Sequence, residues 1–459
     1  MTTRDRVPFA HVTWAHVTWA LASLFCLAVL AAPALWNGFP LLQWDTGGYL
    51  ARWYEGTLVP SRAVAYGLIL NAGSWGDFWP VVLLQSALTV WVIAIVLRVH
   101  GLARPFILAG VIAALSIVTT LPWLTAILLT DIFCGLGVLA LYLIMMRRDR
   151  LIRGERTALG LLVAVAAATH SATLAVLGGL VIVAGLVRLA RRAAMPGNRL
   201  RAGIFAVAFG AALVPLANDV VAGRLVWTPG GFALSFGRML QDGIVAKYLD
   251  AHCPDPRLRL CAHKDALPRD ADQWFWGSDL FDRLGRFAGL GREMEAIALG
   301  SVTEFPLLQA QTAATAAARQ LVDMRTGEGV LDTIWHTYSI IERYVPAAVP
   351  AMKAARQQHG AAFGFETLNL LHWPVGLLAM ALLPLIVSGF CSPALRSPAL
   401  REARELAAVI ALTVLGNAVV CGVFSNPHDR YGARVVWLAT FAVLVAGLSL
   451  RPRRDIAPR

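Results

Sequence analysis

The sequence predicts an all-α polytopic membrane protein of about ten transmembrane helices, with a long first outer loop carrying interfacial helices and a mainly helical outer domain between spans seven and eight. Three observations predict it. Of the 459 residues 58% are hydrophobic and only 15% charged, with a mean hydropathy of +0.62, outside the usual range of soluble domains. Apolar runs long enough, or nearly long enough, to cross a bilayer recur along the chain. Arg residues are distributed unevenly among the connections between those runs. The net charge of +12 and pI near 10.0 would suit nucleic acid if the charge formed a patch. Its placement at span ends makes it topogenic instead, and no nucleic-acid partner is expected.

In order, the spans fall at about 17–35, 79–97, 105–121, 131–146, 157–169, 172–187, 202–222, 373–391, 405–424 and 435–450. The first ends in "AAPA" (31–34), which resembles a signal-peptidase site, but the apolar run is long and Pro33 interrupts the recognition sequence, so the span is kept. The fifth and sixth are cut from one apolar run over 157–187. A straight helix of that length would be about 46 Å long, too long for a core of roughly 30 Å, so the cut is placed at "ATHSAT" (168–173). With the N-terminus inside, the inner connections hold 21 Arg and the short outer loops only four: Arg52, Arg62, Arg430 and Arg434. Both termini are therefore expected inside.

This divides the chain into a membrane module, 1–222, an outer soluble domain, 223–372, and a second membrane module, 373–459. The outer domain balances 15 basic against 16 acidic residues, and its stretch 293–324 reads as helix with an apolar face. In "RMLQDGIVAKYL" (238–249), Arg238 and Asp242 are candidates to contact sugar or phosphate, against a plain surface-helix reading. "DQWFWGSDLF" (272–281) suits stacking on sugar rings, although packing on neighbouring helices is the commoner use of such a run. Cys253 and Cys261 are the two cysteines in a soluble loop, the other four lying in or beside spans. A disulfide between them is expected; zinc binding with His252 and His263 fits no common spacing.

The polar residues suited to chemistry gather on the outer side. Asp45 lies in "LLQWDTGGYLARW" (41–53), inside a Trp-rich loop, 36–78, expected along the interface. Asp131 stands at the outer end of span four in "LPWLTAILLTDIF" (121–133), and His170 marks the turn between spans five and six. The last outer loop, "SNPHDRYGAR" (425–434), carries His428, Arg430, Tyr431 and Arg434. Each also has a bland use. Asp45 can cap an Asp-Thr-Gly-Gly turn, Asp131 can be the first-turn anion of a helix, His170 can be a loop residue, and the arginines can be interfacial anchors.

The motifs "WDTGGY", "LTDIF" and "HDRYGAR", in that order around a large outer domain, resemble the GT-C superfamily of polytopic glycosyltransferases, which includes the protein O-mannosyltransferases and the aminoarabinose transferase of lipid A. The resemblance implies inverting transfer of a sugar from a polyprenyl-phosphate donor to a glycan, lipid or protein acceptor. It implies this on the periplasmic face of a bacterial inner membrane, within the cell envelope. By the same resemblance Asp45 and Asp131 match the catalytic acidic positions, and Arg430, with His428 beside it, is similar to the late basic residues at the lipid phosphate; Tyr431 and Arg434 of the same loop are further candidates for donor binding. The subfamily and the acceptor's identity do not carry over.

The chemistry is coherent without the family. An attacking hydroxyl needs a general base, for which Asp45 serves, and a leaving phosphate needs cations, for which the planar fork of Arg430 is suited. A divalent metal held by Asp45, Asp131 and His170 is compatible with the sequence, but their spacing does not demand one. Two other classes stay open: a transporter or lipid flippase, for which ionisable or Gly/Pro-broken centres within the membrane are expected, and a non-catalytic scaffold.

Overall fold

The computed structural model describes residues 9–60, 62–191, 197–228, 232–360, 363–389 and 398–450, and the regular elements among them are helices. Both termini and Cys391 lie outside the described residues. The first half runs α1 (Phe9–Asn37), α2 (Trp44–Glu55), α3 (Val64–Gly73), α4 (Trp79–Val99), α5 (Pro105–Val118), α6 (Leu121–Ala126), α7 (Asp131–Met146), α8 (Arg153–Thr169), α9 (Ser171–Arg191) and α10 (Gly197–Ala222). A segment follows in which no described helix is long and apolar enough to cross a membrane, with α11 (Phe232–Gln241), α12 (Ile244–His252), α13 (Ala271–Gly277), α14 (Asp279–Arg283), α15 (Arg286–Glu304), α16 (Pro306–Val322), α17 (Trp335–Tyr344) and α18 (Val349–Ala354). The chain closes with α19 (Phe365–Ser388), α20 (Pro398–Phe424) and α21 (Asp429–Ser449).

Each of the ten segments predicted to span falls on a helix among the described residues, although α5 ends at Val118 and α19 at Ser388, short of the predicted 121 and 391, and residues 390–391 lie outside the described residues; the break between α8 and α9 falls at His170. Seven of the described helices, within α1, α4, α9, α10, α19, α20 and α21, are long and apolar enough to cross a membrane, which marks an integral membrane protein. The remaining three fall short of that standard. α5, α7 and α8 have 14, 16 and 17 residues, about 21–26 Å at 1.5 Å per residue against a core of roughly 30 Å. α8 also opens on Arg153, Glu155 and Arg156, so its first turn is polar.

The segment 223–372 is not one packed body. Residues of α11 to α15, among them Phe236, Trp274, Phe281 and Met294, form a hydrophobic cluster of their own. α17 and α18 instead bury Tyr338, Ile341 and Met352 in the main core with the membrane helices. The predicted helix over 293–324 is two helices, because Pro306 cannot supply the backbone N–H that would continue α15 into α16. Cys253 and Cys261 are disulfide-bonded.

Hydrogen bonds between loops set the geometry of one end of the bundle. Leu41 pairs with the segment ahead of α7: its N–H donates to Ala126 O (3.0 Å), and its carbonyl accepts from Leu128 N (2.9 Å). Thr46 Oγ1 donates to Leu128 O at 3.0 Å, so the starts of α2 and α7 are tied together. At the opposite end Arg147 pairs with Glu405 (2.8 Å) and Arg98 with Glu155 (2.7 Å), while Arg150 pairs with Glu402. The basic residues there are braces between helices as well as anchors.

Candidate functional site

"WDTGGY" is helix, not turn. Gln43, in extended conformation, is the N-cap of α2: its side chain accepts from Asp45 N (2.7 Å), and Thr46 Oγ1 accepts from Gln43 N (3.0 Å). The cap is thus supplied two residues before the carboxylate, and Asp45 stands in the first turn with its side chain free for other partners. The two glycines serve close approach. A Cβ on Gly47 would lie 2.7 Å from Thr337 Cα, and one on Gly48 would lie 3.1 Å from Arg62 Nε. Gly47 lets α17 seat on α2, where Thr337 Oγ1 receives Gly47 N at 3.1 Å. Gly48 leaves a path for Arg62 across the helix.

That path ends on Asp45. Arg62 pairs with Asp45 Oδ1, and Arg430 Nη1 donates to Asp45 Oδ2 at 2.7 Å. Arg430 Nε lies 3.4 Å from Asp131 Oδ2, and Arg434 Nη1 lies 3.8 Å from Asp131 Oδ1. The result is a row of alternating charge, Arg62, Asp45, Arg430, Asp131, Arg434, drawn from α2, α7, α21 and the loop before α3. Three cations against two anions leave an excess positive charge. Asn417 Oδ1 on α20 accepts from Nε (3.0 Å) and Nη2 (2.7 Å) of Arg434, and His170 Nδ1 stands 3.3 Å from Arg434 Nη1.

A second branch meets the row at Arg430, whose backbone N–H donates to Glu328 Oε2 at 2.6 Å. The other Glu328 oxygen is 2.7 Å from His428 Nδ1, and His428 Nε2 is 3.4 Å from Asp272 on α13. His428 therefore sits between two carboxylates.

Burial alone would raise the Asp45 carboxyl, but Arg62 and Arg430 outweigh it and hold the group below the usual carboxylate range. For His428, burial opposes protonation, yet the hydrogen bond and charge of Glu328 prevail and raise its pKa. Burial likewise works against the Glu328 carboxylate but loses to the His428 contact, so Glu328 is depressed. His170 is driven well below its usual value by burial, with Arg434 and Arg430 adding to the effect. A neutral ring suits an Nδ1 that accepts from Arg434.

A cavity of about 790 Å³ opens on this network. Asp45, Arg62, Glu328, His428, Arg430 and Tyr431 line it, together with Asp272, Phe275, Trp276 and Phe287 of the α11 to α15 cluster. Asp131 does not line it. At 1% exposure it lies behind Arg430, reached by a separate crevice of about 40 Å³ walled by residues such as Trp123, Val330 and Phe365. Its two oxygens have no hydrogen-bond partner beyond the looser arginine pairs. Arg434, 0% exposed, is also behind the wall.

The candidates from the sequence thus divide. Asp45, His428, Arg430 and Tyr431 face the cavity together; Asp131, Arg434 and His170 support them from behind. Arg238 and Asp242 belong elsewhere. They pair with each other, and Arg238 also bonds Gln309 (2.6 Å) and Thr312 (3.1 Å), holding α11 against α16. The sequence did not single out Arg62, Glu328 or Asp272. Arg62 carried a signal, being one of only four Arg in the short outer loops, three of which join the row. Glu328 and Asp272, in the long segment, carried none.

Among the described residues no group of three or more His, Cys, Asp or Glu is placed to hold a metal ion. The positive charge beside Asp45 and Asp131 comes from arginines. No family model, curated protein or solved structure matches this chain.

Proposed function

We propose that this membrane protein is a glycosyltransferase that moves a sugar from a polyprenyl-phosphate carrier to an acceptor hydroxyl. The observation that carries the reading is a single carboxylate, Asp45, held between Arg62 and Arg430 on the wall of a large cavity beside membrane-spanning helices.

In the free site the arginines neutralise Asp45, which makes it a weak base. A carrier phosphate offers the same guanidinium groups more charge and more oxygens. Once they turn to it, Asp45 loses its counter-ions and its basicity rises. Asp45 then takes the proton of the acceptor hydroxyl as that oxygen bonds to the anomeric carbon. The bond from that carbon to the phosphate oxygen breaks, its electron pair goes to the phosphate, and Arg430 and Arg62 stabilise the new charge. Asp131 and Arg434 hold Arg430 in register. Arg62 and Arg430, both on the cavity wall, suit an anionic ligand.

Arg430→Lys tests the phosphate step, because it keeps the charge beside Asp45 and Asp131 and loses the planar fork. Binding of decaprenyl phosphate to protein in lipid nanodiscs, followed by native mass spectrometry, is expected to weaken about tenfold, the worth of one good charge-assisted hydrogen bond. Unchanged binding would remove Arg430 from the phosphate site.

A further inference from the structure

Three consecutive aromatic residues of α13 have different surroundings. Trp274 is fully buried and Phe275 is 3% exposed, both in the core of the α11 to α15 cluster, whereas Trp276 is 52% exposed and faces the cavity. A single exposed aromatic residue is ordinary; this one has specific company. The guanidinium of Arg62, which pairs with Asp45, has its carbon 5.7 Å from the centre of the Trp276 ring. One arginine side chain therefore separates the ring from the carboxylate. Asp272, one helical turn earlier and so on the same face, lines the same cavity, as does Glu328, and both carboxylates contact His428. A flat apolar surface flanked by carboxylates matches a pyranose, whose axial C–H groups pack on an aromatic face while its hydroxyls donate outward.

We propose that Trp276, with Asp272 and Glu328, forms a subsite for a pyranose ring of the acceptor, so that the acceptor is a carbohydrate or carries one. The inference rests on the glycosyl-transfer reading for the word acceptor, not for the binding site itself. The ring belongs to the acceptor because a lipid-held donor approaches from the membrane helices and is anchored at Arg430. Trp276 comes from α13, and the Arg62 guanidinium lies between its ring and Asp45. A cavity near the upper end of the usual ligand-pocket range has room for two ligands.

The test uses the full chain in lipid nanodiscs and a panel of methyl pyranosides of glucose, galactose and mannose, read by saturation-transfer NMR. Wild-type protein is expected to bind at least one of them. Trp276→Ala is expected to weaken that binding about tenfold and Trp276→Phe less, in line with the loss of one aromatic contact. Trp335→Ala, an exposed tryptophan that does not line the cavity, is expected to leave it unchanged. Decaprenyl phosphate is expected to bind wild type and Trp276→Ala alike, and the pyranoside is expected to remain bound in its presence. Absence of pyranoside binding to wild type, equal binding to Trp276→Ala, or equal loss in Trp335→Ala would overturn the subsite. Displacement of the pyranoside by decaprenyl phosphate would overturn its acceptor side. Failure of decaprenyl phosphate to bind wild type, with the pyranoside results intact, would remove the donor reading and leave the sugar subsite standing.

Discussion

At Asp45 two roles that the sequence could not separate come apart, since the cap of α2 belongs to Gln43 and the carboxylate belongs to the arginine row. Gln43→Ala is expected to cost about 1 kcal/mol, the usual worth of an N-cap, in thermal or denaturant unfolding. It leaves the Asp45 carboxylate in place. Asp45→Asn is expected to slow transfer by roughly 10²-fold or more, the scale of general-base catalysis. Asp45 was legible as a candidate because a lone carboxylate in apolar surroundings needs a partner. The turn alternative also had a physical basis: Asp-Thr-Gly-Gly has genuine turn chemistry, and only the contacts of Gly47 with Thr337 and of Gly48 with Arg62 explain the glycines inside a helix.

Those contacts act between elements, and they separate neighbouring substitutions. Gly47→Ala drives a methyl group into the backbone of α17 and is expected to destabilise by about 1–3 kcal/mol. Gly48→Ala meets side-chain atoms of Arg62, with Nε at 3.1 Å, rather than backbone, so Arg62 shifts by a few tenths of an ångström to keep its path to Asp45. It gains about 1 kcal/mol of helix propensity, so its unfolding temperature should hold or rise. Equal losses in both variants would show that α17 does not seat on α2 in this way. A second link between elements depends on pH. His428, at the start of α21, joins Glu328 and Asp272 of α13. The raised His428 pKa contributes stability that is full below about pH 6.5 and lost as pH rises through the raised value. The depressed Glu328 pKa contributes stability that is full above about pH 4.3 and lost as pH falls through the lowered value. The difference in unfolding temperature between wild type and His428→Gln is therefore expected to be largest between those limits. A difference that persists undiminished to about pH 9 would contradict the pairing. "HDRY" was legible as a cluster; its partners, 100 or more residues away in sequence, were not, because no local pattern encodes them.

Over the whole molecule, helices and their order could be read from hydrophobic runs, and the split at His170 from the length a bilayer allows. The two-part packing of 223–372 could not, because which core an amphipathic helix joins depends on faces that composition does not rank. The arginine asymmetry gives an expected sidedness that is testable. With a membrane-impermeant thiol reagent applied from outside, Asp250→Cys is expected to label and Arg150→Cys to stay protected; the reverse would turn the site to the other face. The central claim, that Asp45 discharges a lipid-linked sugar once the arginines have taken its phosphate, is tested most directly by the lipid that stays with the protein. Wild type and Asp45→Asn, purified from the same membranes, are compared by native mass spectrometry of bound lipid. The account predicts carrier phosphate without sugar on wild type and the sugar-bearing donor trapped on Asp45→Asn. The same lipid on both proteins, or no polyprenyl phosphate on either, would contradict it.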